Sequence, residues 1–591
     1  MDTVSPTSQT PNQDTSNRYT ALSSGVLAMP NLYAVSAVTV FLLYAMLTLF
    51  MITIVELGFL DADIAVMIGV LVAIAQFAFG PWIMDLTLRW LYTISWVEPS
   101  QLPDHLQAFV HRVCRSQGMD FPSFGIINDG APQAFTYGHR PNNARIVISR
   151  GLMELLEPEE LEAVVAHEIG HARHWDMVLM TIVNLVPLLC YYTYRTLMMS
   201  GKGKGKSRNN MWPIALGAYV LYVITEYIVL WFSRVREYYA DRFSGALTNN
   251  PNALVRALVK IAYGLAAQDS HFEKREEEVE LPFKKRTTER ARRELTGSGA
   301  IGVLNIFNRE AAVNLVMSSS SSSEGSSGHL SIERVKDAMQ WDLWNPWAEF
   351  FELHSTHPLV AKRLQHLGVQ AAVMGQEPQV LFNRTKPESY WDEFFVDVFI
   401  IALPVLGILA GIGIMFALEI GSFWGNLMYL GIPAALCGIG GLIKTFYRYP
   451  AAWFPNLTVE KLMQQVKVSP VRPVPATLTG TIIGKGVPGL VYSEDFVLRD
   501  QTGIMFLDYH QPLAIWNFLF GLLKAGEYQG KNVRVSGWFR RSTIPYFEIS
   551  RIEVPGALIA PRRCHTRMAT ILWYVFLFLL GCGMIGYLSQ S

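Results

Sequence analysis

With 591 residues the chain is too long to bury a single compact core, so several modules are expected. Hydrophobic residues make up 51% of it while Lys+Arg and Asp+Glu balance at 49 each, which removes any electrostatic case for nucleic acid or an acidic substrate. The five cysteines, at 114, 190, 437, 564 and 582, are odd in number and form no C-x-x-C pair, so neither a disulfide framework nor a thiolate metal site is expected, in keeping with a reducing compartment.

In chain order, residues 1–30 are rich in Ser, Thr, Asn, Gln and Pro and read as a disordered tail. Too many polar residues precede the first apolar run, and that run is too long, for a cleavable signal peptide. Seven runs approach or exceed the ~20 residues needed to cross hydrocarbon: 33–55, 64–84, 177–196, 211–232, 395–418, 424–443 and 569–588. They predict two transmembrane helices within 31–84, two within 394–446, a C-terminal one at 568–588, and two apolar helices, 177–196 and 211–232, interrupting a domain at 85–393. These last two contain Asn184, Pro187 and Glu226 and are expected to pack partly against folded protein, because a carboxylate facing lipid is costly. The connector "VELGFLDAD" carries only acids, whereas Arg89, Arg234, Arg236, Lys444 and Arg448 flank the other membrane face. By the positive-inside bias the bulky segments 85–176, 233–394 and 447–567 face the cytoplasm. The basic loop "GKGKGKSRNN" (201–210) runs against that orientation if both neighbouring runs cross.

The chemistry concentrates in "VVAHEIGHARHWDM" (164–177). Upstream, Pro158 suits a first helical position and Glu159 and Glu160 favour the positive end of the dipole. His167 and His171, four apart, leave one helix face a turn apart and can offer two imidazole nitrogens to one zinc ion. Glu168 projects beside them, placed to take a proton from water at the metal without binding it. His174 reads as a surface residue and Asp176 as a structural acid supporting the site. A third protein ligand is required. In "SRVREYYADRFSGAL", Glu237 and Asp241 are again four apart: Glu237 can complete a His2Glu set of the thermolysin kind, and Asp241 can accept a hydrogen bond from a ligating histidine and set its tautomer. H-E-x-x-H alone also arises by chance, so an inert or structural motif is the competing reading. "QAFTYG" (133–138) reads as an edge strand, whose residues Gln133, Ala134, Phe135 and Thr136 would pair with an extended peptide through backbone hydrogen bonds.

Further along, "HFEKREEEVELPFKKRTTERARREL" (271–295) reads as a solvated charged face and the Ser-rich segment at 318–328 as a flexible linker. Over 468–560, apolar and polar residues alternate in "ATLTGTIIGKG", "DFVLRDQTGIMFLDY", "KNVRVSGWFRR" and "PYFEISRIEV", separated by Gly or Pro turns. The pattern predicts a small β-barrel of the OB type, interrupted by the apolar insertion "HQPLAIWNFLFGLLKAGEYQG". Arg540, Arg541, Trp538 and Tyr546 are the residues a single-strand-binding face would use, but an adaptor or regulatory barrel with an unknown partner is the favoured reading, and no nucleic acid is expected.

Over residues 30–370 the chain resembles the membrane gluzincin proteases, which include the HtpX heat-shock protease and the type I CAAX prenyl proteases. The resemblance rests on "PQAFTYGHRPNNARIVISRGLMELL", "HEIGHARHWD", "SRVREYYADRFS" and "HSTHPLVAKRL" in that order, and is strongest to the HtpX branch. Gln133 stands where the family often has Asn, and the extra spans and barrel depart from the short HtpX pattern. The resemblance implies an α-helical multi-span membrane protein with a mainly α zincin catalytic domain. It implies one zinc per chain and assigns transition-state stabilisation to His357 and Arg363, with His354 as the alternative to His357. The expected function is an integral-membrane zinc endopeptidase acting on peptide or unfolded membrane-protein substrates in quality control. It would sit, in contact with lipid, in a plasma or inner cell membrane with its catalytic domain facing the cytoplasm. A scaffold with a vestigial zinc site and a CAAX-type processing protease are the alternatives.

Overall fold

The computed structural model describes residues 31–56, 71, 86, 94–128, 133–138, 140–200, 212–263, 332–382, 384–417, 427–450, 453–486, 493–542, 545–556 and 560–588. The expected tail at 1–30, almost all of the run at 64–84, the loop at 201–210, the charged stretch at 271–295 and the linker at 318–328 lie outside them.

The chain begins with α1 (Leu32–Glu56), which carries no charge before its last residue. A small sheet follows, built from β1 (Ile94–Val97), β2 (Ser123–Ile127), β3 (Ala134–Tyr137) and β4 (Arg145–Ser149) in the order β1-β2-β4-β3, with α2 (Asp104–Gln117) between the first two strands. Strand β3 pairs antiparallel with β4 and, among the described residues, has no partner on its other side. After α3 (Arg150–Leu155) comes α4 (Pro158–Arg173), started by Pro158 and by a capping box in which Glu157 and Glu160 exchange side-chain and backbone hydrogen bonds.

Two long helices follow, α5 (Asp176–Ser200) and α6 (Trp212–Thr248). Leu43 of α1, Val183 and Val186 of α5, and Val229 and Phe232 of α6 share one buried cluster. The Asn184 amide donates to Met180 O at 2.7 Å, so its polar group is satisfied within its own helix. At 37 residues α6 is longer than a bilayer needs. Its second half runs on past the apolar stretch and packs on α4, where Ser244 Oγ donates to Ala163 O at 2.6 Å. The two helices approach closely because position 170 is glycine: a Cβ there would lie 3.1 Å from the Phe243 ring and 3.4 Å from Ala240 Cα. Helix α7 (Pro251–Tyr263) braces α4 through the buried Glu160, which receives Lys260 Nζ at 2.7 Å and Arg256 Nε at 3.2 Å. Helices α8 (Ile332–Trp344), α9 (Pro346–Leu353) and α10 (Val360–Val373) complete this domain.

Helices α11 (Trp391–Ala417) and α12 (Gly431–Arg448) then lead through α13 (Val459–Met463) into the barrel. Its strands are β5 (Val474–Lys485), β6 (Phe496–Arg499), β7 (Ile504–Asp508), β8 (Asn532–Arg541) and β9 (Pro545–Glu553), with α14 (Ala514–Leu523) between β7 and β8. The order β5-β6-β7-β9-β8 closes where β8 returns to β5, and only β7 and β9 pair in parallel. This is the five-stranded Greek-key closure of an OB barrel. A two-residue strand, β10 (Arg562–Arg563), adds to β9 before α15 (Thr566–Leu588) ends the described chain.

Among the described residues, five helices are long and apolar enough to cross a membrane: α1, α5, α6, α11 and α15. The run expected at 424–443 falls partly on α12, which has 18 residues, carries Lys444 and Arg448, and is not one of the five. Its glycines let it nest between its neighbours: Gly440 abuts Leu403 O of α11, and Gly441 lies against the Tyr574 ring of α15.

The basic residues proposed for a single-strand-binding face are interior. Arg540 is fully buried, donating to Glu548 Oε2, Pro470 O and Arg448 O at 2.7 Å each. Arg541, 1% exposed, donates to Ala338 O of α8 at 2.8 Å and pairs with Asp342 at 3.2 Å. With Trp341 Nε1 donating to Val468 O at 2.8 Å, these contacts dock the barrel on α8.

Candidate active site

The core of α4 is buried from Leu161 to Gly170 except for half-exposed Glu162, so the imidazoles it carries face other side chains rather than water. His167 Nε2 and His171 Nε2 stand 3.1 Å apart. From α6, the Glu237 carboxylate meets them, 3.6 Å from His167 Nε2 and 3.5 Å from His171 Nε2. Three ligands held at 2.0–2.1 Å around a tetrahedral ion would be separated by about 3.3 Å, so the spacing fits a metal of that size, and the three ligand atoms lie within 4.8 Å of one another.

Each histidine turns its other ring nitrogen to a carboxylate. His171 Nδ1 lies 2.7 Å from Asp176 Oδ2. His167 Nδ1 lies 3.0 Å from Asp241 Oδ1, paired in charge but without hydrogen-bond alignment. Both arrangements favour a proton on Nδ1 and leave an Nε2 lone pair for a cation. Burial by itself would lower the pKa of His167, but Asp241 and Glu237 outweigh it and raise it to about 9. His171 is pulled down to about 4, chiefly by burial and against the attraction of Glu237. Two imidazole nitrogens facing one carboxylate form a donor set that could hold a divalent ion.

Glu168 lies outside that set of three. Its Oε2 accepts from Thr136 Oγ1 at 2.8 Å, which ties it to β3. A cavity of about 380 Å³ is lined by Gln133, Ala134, Phe135 and Thr136 of that strand segment, by Glu168, and by His357 and Arg363 from across the cleft. His357 Nδ1 is 3.0 Å from Glu237 Oε2 with its side chain 30% exposed. Arg363 is buried and committed: Nε and Nη2 donate to Asp241 at 2.8 and 2.5 Å, and Nη1 lies 3.4 Å from Glu237. Although burial opposes its charge, Asp241 raises its pKa further. His354 points elsewhere, bonded to Tyr227 Oη at 2.7 Å and Phe350 O at 2.8 Å. His174 is half-buried edge-on against Phe243 rather than a free surface residue, and burial with the nearby Arg236 lowers its pKa to about 4.

Four residues have contacts at the site that a sequence reading does not give. Arg236, 2% exposed, pairs with Asp176 and donates to His174 O at 3.1 Å, so it holds the carboxylate that orients His171. Thr136 contacts Glu168, which only the fold of β3 onto α4 brings about. Arg541 and Pro545 of the barrel line the same cavity. Arg236 adjoins Glu237 in the chain, and an arginine next to a candidate ligand was the one available signal.

A model of peptidase family M48 matches residues 100–370, which leaves the barrel and the helices around it outside the match. The chain is 34% identical over 200 residues to a protease HtpX homolog of Methanothermobacter thermautotrophicus, spanning 34% of this chain and 73% of that one. With a protease HtpX homolog of Aeropyrum pernix it shares 28% identity over 327 residues, 54% of this chain and 90% of the other. With one of Moorella thermoacetica it shares 30% over 233 residues, 39% and 76% of the two chains. The crystal structure of S. mikatae Ste24p aligns at a TM-score of 0.25 with 19% identity, over 39% of this chain and 58% of that chain, a likeness too slight to argue from. The chain therefore belongs to peptidase family M48, among the relatives of HtpX.

Proposed function

We propose that the protein is a zinc-dependent endopeptidase of the membrane, cutting extended segments of unfolded or damaged membrane proteins, with its catalytic domain at 85–393 facing the cytoplasm. The observation that carries this reading is the convergence of two imidazole nitrogens and the Glu237 carboxylate within bonding distance of one small cation, beside a strand with an open edge.

Zinc held by His167, His171 and Glu237 would polarise the scissile carbonyl and lower the pKa of water toward ~7. Glu168 takes the proton from the attacking water and returns it to the leaving amine, held at its working position by the Thr136 hydroxyl. His357 faces the cleft with Nδ1 3.0 Å from Glu237 Oε2, and as the imidazolium it would donate from Nε2 to the developing oxyanion. Arg363 works differently from the role the resemblance implies: with its donors directed at Asp241 and Glu237, it aligns a metal ligand and the acid behind His167. Asp241 and Asp176 orient His167 and His171.

An extended substrate adds beside β3 along Gln133–Thr136 and is held through main-chain hydrogen bonds. Such pairing selects few side chains, which suits a quality-control protease.

The test is metal content with cleavage of an unfolded substrate such as casein. The wild type should carry about one zinc per chain and hydrolyse casein, as three protein ligands and one open position require. His167→Ala and Glu237→Ala should lose both. Full zinc occupancy in both variants would sink the ligand assignment, and a zinc-replete but inactive wild type would favour a scaffold.

A further inference from the structure

The barrel's helix α14, "AIWNFLFGLL", is apolar except for Asn517, yet the barrel uses one side of it. Asn517, Phe520 and Gly521 are buried, with Phe520 stacked on Tyr509 at 3.9 Å. On the other side Leu513, Ile515, Trp516, Leu522 and Leu523 are exposed by 58, 57, 57, 39 and 56%. A helix that only plugs a barrel needs one apolar face, so a second implies a second apolar medium.

What covers that face follows from where the helix is tied. The Gln511 backbone N–H donates to Asn517 Oδ1 at 2.7 Å, and the Gln511 amide donates to Arg563 O at 2.9 Å and accepts from His565 N at 3.1 Å. Thr566 Oγ1 then donates to His510 O at 2.6 Å. These bonds clamp the segment leading into α14 onto the first turn of α15, one of the helices long and apolar enough to cross a bilayer. Arg563 and Arg567 at that junction supply cations for anionic headgroups, and an exposed tryptophan is the residue type that settles at the water–lipid boundary.

We propose that α14 is an interfacial membrane helix, its exposed face inserted into the headgroup and upper acyl region of the same bilayer that α15 crosses, so that the barrel is pinned flat against the membrane at two adjoining points. The occupant of this face is lipid, and the inference rests on α15 spanning the bilayer.

The experiment places benzoylphenylalanine at position 516 of the full chain in nanodiscs of mixed zwitterionic and anionic phospholipid, with Phe576 of α15, 53% exposed, replaced in a parallel sample. After irradiation, mass spectrometry should find phospholipid adducts at 516 in a yield comparable to that at 576. Lipid adducts at 576 together with protein adducts or none at 516 would overturn the proposal. Lipid adducts at neither position would remove the crossing by α15, and the proposal with it.

Discussion

Replacing Glu168 with Gln separates catalysis from metal binding at a single atom. Glu168 is 7% exposed and its Oε2 accepts the Thr136 hydroxyl at 2.8 Å. A glutamine oxygen can accept the same hydrogen bond, so the side chain keeps its place. The residues proposed to hold the metal are His167, His171 and Glu237, and none of these is touched. What disappears is the capacity to take a proton, worth about 10²–10⁴ in rate, or roughly 2.7–5.5 kcal/mol of barrier at 1.36 kcal/mol per decade. Helix α4 should hold, because Gln and Glu have nearly equal helix propensity and a neutral amide is easier to bury than a carboxylate. The assay is kcat/KM on labelled casein, with zinc content and Tm measured on the same preparation. The expected result is a loss of at least ~100-fold with zinc and Tm retained. Undiminished hydrolysis would refute the assignment of Glu168 as the base, and lost zinc would show that it binds the metal.

Asp241→Ala removes the acid beside His167 and the anion of Arg363 together, and should weaken zinc affinity or activity by about 10–100-fold; excess zinc should restore casein cleavage here but not in the Glu168→Gln protein. In the barrel, Glu548→Gln strips the fully buried Arg540 of its anion and should destabilise the barrel by about 3–5 kcal/mol, read as earlier proteolysis or unfolding of that region in the full chain. Burial raises the Glu548 pKa, but Arg540 outweighs it and holds it below the ordinary 4.5. The pair's contribution is therefore present above that pH and is lost as pH falls through the depressed value; a barrel whose stability drops near neutrality would contradict this. Labels introduced in 318–328 and in the barrel should both report the cytoplasm, because Arg541 and Trp341 join the barrel region to α8 and two docked domains lie on one side of a bilayer, and opposite reports would refute the proposed orientation.

Local signals in the chain determined what depends on short range. The start of α4 at Pro158, the presentation of His167 and His171 a turn apart, the alternation of the barrel strands and the long apolar runs all follow from spacing of two, four or about twenty residues, where backbone geometry sets the outcome. The Gly and Pro punctuation around four alternating segments was enough to indicate a small OB-type barrel, because strand length and turn chemistry are local.

Only the tertiary structure decided which distant groups share a cavity. That Arg363 spends its donors on Asp241 and Glu237 depends on how α10 crosses α6, and that Arg540 and Arg541 are interior depends on the barrel docking against α8 and on its own closure. An arginine in a sequence is a charge awaiting a partner, and desolvation makes burial permissible only where the fold supplies one. Gly170 shows the same limit: the chain displays a glycine, but the approach of α6 that it allows, and with it the meeting of Glu237 with two histidines from another helix, exists only once both helices are packed.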